Sequence, residues 1–222
     1  MYSNICDTIR KCRYLNGTGR TPFGIWFDAL DAPAAAKVTI ALARIDQGNW
    51  SDVKGVGTGV LEYRIHFGPG YRIYFGRDGD SLVILLGGGT KPHSRRTSEW
   101  RSNGGLITSS VKSREGDMAL TKDFKQTVKV RAERDAAFRQ ALLTEAVDQL
   151  LSGELETGKA VLRDYINATI GFEKLARETG TSPKSLMRML GPKGNPRASN
   201  LLMVIGKLQR VAGVHLAVGA GS

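Results

Sequence analysis

The chain has 222 residues, is 41% hydrophobic, carries a formal net charge of +11 and holds two cysteines and three histidines. That composition suits packed soluble cores rather than disorder, and no apolar run approaches the roughly 20 residues a membrane span needs. The histidines (His66, His93, His215) are scattered, so no metal-ligand cluster can be drawn.

The length allows one large domain or two of about 100 residues each. Met1-Tyr2-Ser3-Asn4 precede no apolar block of signal-peptide type, so the expectation is a cytoplasmic protein with no membrane contact, no metal and no cofactor. In that compartment Cys6 and Cys12 are expected as free thiols. The charge divides as +2 for residues 1–90, +3 for 91–117 and +6 for 118–222. A positive surplus favours polyanions, because each neutralised phosphate releases a condensed counterion. A merely soluble basic protein has the same charge.

Residues 23–47 have helical periodicity. Phe23, Trp26, Phe27 and Leu30 share one face, Asp31-Ala32-Pro33 interrupts it, and Val38, Ala41, Leu42 and Ile45 resume it before Gly48-Asn49. The period then becomes two. Over 60–67, Leu61, Tyr63, Ile65 and Phe67 point one way and Glu62, Arg64 and His66 the other. Gly68-Pro69-Gly70 is a turn. Tyr71, Ile73 and Phe75 then face a core, with Arg72 and Tyr74 opposite. Asp78-Gly79-Asp80 turns again into an apolar strand over 82–86. Two helices followed by an antiparallel meander predict a small α+β domain over 1–91.

Residues 91–117 are rich in Ser, Arg and Gly without a sustained apolar period, and predict a linker over 92–117. From Met118 onward all signals are helical, predicting an all-α domain over 118–222. Asp135 can cap a helix closed by Gly153, and Thr157 can cap the next. A short helix over 172–179 ends at Gly180. Ser182 caps a second, with Pro183 at its first position, and Ser199 or Asn200 caps the last.

Residues 175–186 match the needs of a helix-turn-helix. Ala176 is small enough for close crossing, Gly180 tolerates positive φ in the turn, and Leu186 anchors the second helix. Ser182, Lys184, Ser185 and Arg188 then lie on the exposed side, where such a helix meets base edges in the major groove. Lys193 and Arg197 follow in a loop suited to backbone phosphates. An ordinary helical hairpin with a glycine in its turn fits the same pattern. Residues 172–197 carry six Lys/Arg against two Asp/Glu, a balance that favours DNA.

Residues 118–217 resemble HigA-like antitoxins of toxin-antitoxin addiction modules, with Cro-type helix-turn-helix folds. The resemblance is carried by Leu120-Thr121-Lys122-Asp123-Phe124, Asp135-Ala136-Ala137-Phe138-Arg139, Leu162-Arg163-Asp164-Tyr165-Ile166-Asn167-Ala168 and Lys184-Ser185-Leu186-Met187-Arg188-Met189-Leu190-Gly191. It extends to Gly194-Asn195-Pro196. It implies homodimeric binding of operator DNA, autorepression and neutralisation of a toxin.

Residues 20–91 resemble the HigB-like toxins of the RelE/ParE superfamily. The resemblance rests on Pro22-Phe23, Trp26, Gly48-Asn49, Val53-Lys54-Gly55-Val56-Gly57, Glu62-Tyr63-Arg64-Ile65, Gly68-Pro69-Gly70-Tyr71-Arg72-Ile73-Tyr74-Phe75 and Leu85-Leu86-Gly87-Gly88-Gly89-Thr90-Lys91. RelE-like members cleave messenger RNA on the ribosome by 2′-hydroxyl attack on phosphate, whereas ParE-like members bind gyrase. The resemblance to the former implies Lys54, Arg64 and Arg72 as phosphate contacts and Tyr74 in proton transfer or stacking, with Lys91 nearby. Alternatively, Arg64 and Arg72 only flank Glu62 as solvated cross-strand pairs, each worth about 0.2–1 kcal/mol.

Toxins of this kind continue after the Gly-Gly-Gly-Thr-Lys strand into a further helix, which this chain lacks. Codons for 98–111, read one nucleotide out of register, can spell Met-Ala-Ile-Glu-Trp-Trp-Ala-Asp-Tyr-Lys-Gln-Arg. That peptide suggests a frameshift near residues 91–95 which erased the toxin's stop, Met118 being the former antitoxin start. The toxin domain is then expected to be inactive, or neutralised by an antitoxin tethered at roughly millimolar effective concentration.

Overall fold

Helix-forming and strand-forming residues separate along the chain, and a computed structural model describes residues 10–14, 21–57, 59–78, 82–90 and 121–216. The linker expected over 92–117, Lys91, Met118, Cys6 and the turn residues Gly79 and Asp80 lie outside the described residues. The architecture mixes helices and sheet. The chain divides into two compact units, 1–127 and 128–222.

In the first unit, strand β1 (Arg10–Tyr14) precedes helices α1 (Pro22–Ala29) and α2 (Ala32–Asp46). Pro22 opens α1, where a missing N–H matters least. Asp31 does more than interrupt the helical run. Its carboxylate accepts from the Ala34 N–H at 2.8 Å and caps α2, with Pro33 inside the first turn. Strands β2 (Val53–Gly57), β3 (Val60–Ile65), β4 (Tyr71–Asp78) and β5 (Leu82–Thr90) form an antiparallel meander. Gly68 and Gly70 take positive φ in the turn before β4.

The sheet is wider than the meander. Its order is β2-β3-β4-β5-β1-β6, with β1 parallel to β5 and β6 (Thr121–Asp123) antiparallel to β1. Neither β1 nor β6 is expected from periodicity. The residue after β6, Phe124, is buried, with its ring edge-on to Phe23 (5.7 Å) and Phe27 (5.4 Å). Thus 121–127, assigned by pattern to the all-α domain, falls in the first unit, with Phe124 in that unit's core.

Six further helices run from there: α3 (Phe124–Arg134), α4 (Ala136–Leu151), α5 (Leu155–Ala168), α6 (Phe172–Thr179), α7 (Pro183–Met189) and α8 (Ala198–Ala212). The division between units falls inside α3. Asp135 caps α4 by accepting from Phe138 N–H at 2.9 Å. In the second unit α4 packs on α5 and α8, and α6 packs on α5, α7 and α8. Phe138, Leu142, Leu162, Tyr165, Leu175, Leu186 and Leu208 fill the core between them.

Two expected caps are displaced. Thr157 does not start α5; the helix begins at Leu155 after Glu154, and Thr157 is buried within it. Likewise α8 begins after Arg197, so Ser199 and Asn200 lie inside its first turn. Both helices start without a side-chain cap hydrogen bond, from Glu154 and from Arg197.

Candidate nucleic-acid interface

In the first unit, Lys54, Glu62 and Tyr74 are direct neighbours across β2, β3 and β4, and Arg64 faces Arg72 two residues along. Period-two alternation puts all five on one sheet face. Glu62 is the surprise there. Its position on the polar side of β3 predicts a solvated carboxylate, yet the residue is 0% exposed. The Arg64 Nε donates to Oε1 at 2.8 Å, and Arg72 Nη1 donates to both carboxylate oxygens at 3.0 and 2.9 Å. The Tyr74 hydroxyl adds another hydrogen bond, and Tyr74 is itself buried.

Burial alone would push the Glu62 carboxyl upward. Hydrogen bonds from Arg64 and Arg72, the Arg72 charge and the Tyr74 hydroxyl outweigh it and hold the group below the usual carboxylate range. Burial likewise works against the Arg72 cation, and Glu62 and Tyr74 hold it more firmly protonated than usual. The two arginines and the tyrosine therefore converge, but on an internal anion. Lys54 stands apart from that cluster, at the exposed end of the row.

In the second unit, α6 ends at Gly180, whose φ of +66° is left-handed backbone. A β-carbon there would be strained by about 1–2 kcal/mol, which is why a glycine makes this turn. Ser182 then caps α7, accepting from the Ser185 N–H at 3.2 Å, and its hydroxyl donates to Ser185 Oγ at 2.9 Å. Ser182 is thus occupied in shaping the helix. Leu175 and Leu186 are fully buried and Ala176 nearly so, which seats α7 on α6. Thr179 Oγ1 returns to the Leu175 carbonyl at 2.8 Å and closes the last turn of α6.

The exposed side of α7 and of the loop after it carries four cations. Lys184, Arg188, Lys193 and Arg197 are exposed, and among the described residues none forms an ion pair. Ser185, Arg188, Lys193 and Arg197 line one concavity of about 490 Å³, together with Thr181, Asn195 and Asn200, and its lining holds no acidic side chain. Ser182 and Lys184 lie outside that lining. Thr181, Asn195 and Asn200 are additions that residue pattern did not single out as site residues. For Asn200 the reason is local: it looked like a helix cap, and the earlier start of α8 leaves its amide to the concavity.

No protein-family model matches the chain, and no solved structure matches it with significance. A protein of Haemophilus influenzae described as an uncharacterized protein is 41% identical over 70 residues, which are 31% of this chain and 71% of that protein. No helix among the described residues is long and apolar enough to cross a membrane.

Proposed function

The chain belongs to the family of that Haemophilus influenzae protein, and from its second unit we propose that it is a sequence-specific DNA-binding regulator, an antitoxin and autorepressor joined to a toxin-like first unit. One observation carries the proposal. The short capped helix α7 and the loop after it bring Arg188, Lys193 and Arg197 around a single concavity free of carboxylates. An α-helix about 10–12 Å across suits a major groove about 12 Å wide. With α7 in the groove, Ser185 and Arg188 meet base edges while Lys193 and Arg197 meet flanking phosphates.

The first unit has a second reading, as a messenger RNA endoribonuclease or a gyrase-binding toxin. Lys54, Arg64, Arg72 and Tyr74 are the residues such chemistry would draw on; the last three already engage Glu62, while Lys54 stays exposed. That engagement favours a toxin-like unit that is silent.

The test is a gel shift with the duplex upstream of the chain's own gene. Binding is expected to prefer that duplex and to weaken steeply with salt, by about 0.9 log unit per log unit of salt for each phosphate neutralised. Arg188→Ala is expected to relax the sequence preference. Equal, salt-insensitive binding to unrelated duplexes, or none to its own upstream DNA, overturns the proposal. Brisk RNA cleavage by the full chain, abolished in Arg72→Ala, establishes the second reading instead.

A further inference from the structure

Lys159 is 1% exposed, the most deeply buried cation of the second unit, and nothing in its helical spacing marks it. Its ammonium pairs with Glu156 Oε1 at 2.7 Å and donates to the main-chain carbonyl of Gly194, 35 residues away. One turn further along α5, Arg163 Nη1 donates to the Leu190 carbonyl at 3.4 Å. Two cations on one helix therefore hold the segment between α7 and α8 at its start and at its middle. There the Gly194 N–H donates to the Gly191 carbonyl at 2.9 Å and closes a tight turn. Gly194 is pressed so closely against the end of α7 that a β-carbon would run into the carbonyls of Met189 and Arg188.

We infer that Lys159 is a positioning residue for DNA binding: a buried latch that holds the 191–196 turn and so aims Lys193 and Arg197 at phosphates. This rests on the DNA-binding role proposed above. Lys159 touches no DNA itself. Burying an ammonium carries a large desolvation penalty, which only close partners offset, and here one partner is the backbone flanked by Lys193 and Asn195. Without the latch, the side chains on that turn no longer have one orientation relative to α7.

The experiment compares the full-length wild type with Lys159→Met, which keeps length and apolar bulk, and with Gly194→Ala, which forces the same turn from the opposite side and leaves Lys159 intact. Two readouts are taken. Amide hydrogen exchange at Gly194 reports the turn directly, and is expected to quicken at least tenfold in both variants while the α4 and α5 amides stay protected. Fluorescence titration against the upstream duplex at several salt concentrations reports DNA contact. The slope of log affinity against log salt is expected to shrink by about 1–2, about 1 for each phosphate no longer neutralised, with the preferred sequence unchanged. A merely destabilised protein lowers the active fraction and leaves that slope alone. If Lys159→Met folds and its Gly194 amide stays protected, the latch is refuted, whether or not DNA binds. If the amide quickens and the slope holds, the latch exists but does not aim phosphate contacts, and the inference fails. A wild type that binds no duplex defeats the DNA-binding proposal and this inference with it, while the exchange data still say whether Lys159 holds the turn.

Discussion

A double-mutant cycle on Glu62 and Arg72 separates a buried ionic hub from a solvated cross-strand pair. Exposed pairs couple by about 0.2–1 kcal/mol. Glu62 is wholly buried, and Arg72, with a side chain 20% exposed, bonds both of its oxygens. Hydrogen bonds to charged groups contribute about 1.5–3 kcal/mol each. Arg64 and Tyr74 remain on Glu62 when Arg72 is removed, so only part of that is forfeited. The coupling expected from Glu62→Gln, Arg72→Met and their combination is therefore about 1.5–3 kcal/mol. For Glu62 with Arg64, whose side chain is 38% exposed and makes one bond, solvent screening reduces the expectation to about 0.5–1 kcal/mol. The assay is urea unfolding followed by tryptophan fluorescence. Trp26 and Trp50 are described residues of the first unit and the second unit has no tryptophan, so loss of their packing reports the first unit. Trp50 sits 6.1 Å from the Phe75 ring and 5.1 Å from the Arg77 guanidinium, both on the same strand as Arg72. A Glu62–Arg72 coupling below about 1 kcal/mol, no larger than that of an exposed pair, refutes the hub.

Because the Glu62 carboxyl is lower in the folded protein than in the unfolded chain, its contribution is complete above the ordinary carboxylate value and is lost as pH falls through the folded value. The urea midpoint of the wild type is therefore expected to drop on acidification through that window, and Glu62→Gln to flatten that part of the profile. Phe124→Ala removes a buried ring packed on Phe23 and Phe27 and is expected to destabilise the first unit by about 3–5 kcal/mol. An unchanged tryptophan-detected midpoint would show that 121–127 does not belong to that unit. Gly180→Val puts a β-branched side chain at φ +66° and is expected to destabilise the second unit by about 1–2 kcal/mol or more, read as a lower helical melting temperature by circular dichroism. Gly180→Asn, which tolerates that backbone better, is expected to recover most of the loss.

Much of the second unit was legible because its signals are local. A cap and the N–H that bonds to it lie three residues apart, so Asp135 and Ser182 can be read from neighbours alone. Gly180 likewise needs only the two helices it joins. The same locality misled at Thr157 and Asn200. Both are good capping residues, but the chain had already turned helical, at Leu155 and Ala198. In the first unit the alternation over 60–75 was plain, and so was the shared face of Glu62, Arg64, Arg72 and Tyr74. That the carboxylate on this polar face is buried was not plain, because alternation says which way a side chain points and nothing about what covers it.

The residues alone determined the helical runs and the strands of the 60–86 meander, the turn at Gly180, and the cationic stretch that α7 and its loop present. Those depend on backbone sterics and on periods of two and 3.6, which act over a few positions. Only the tertiary structure decided that Thr121–Asp123 joins a sheet begun at Arg10–Tyr14, that Glu62 gathers two arginines, and that Lys159 reaches the carbonyl of Gly194. Each of these turns on which groups are withdrawn from water together, and desolvation is set by neighbours that the chain brings in from far away.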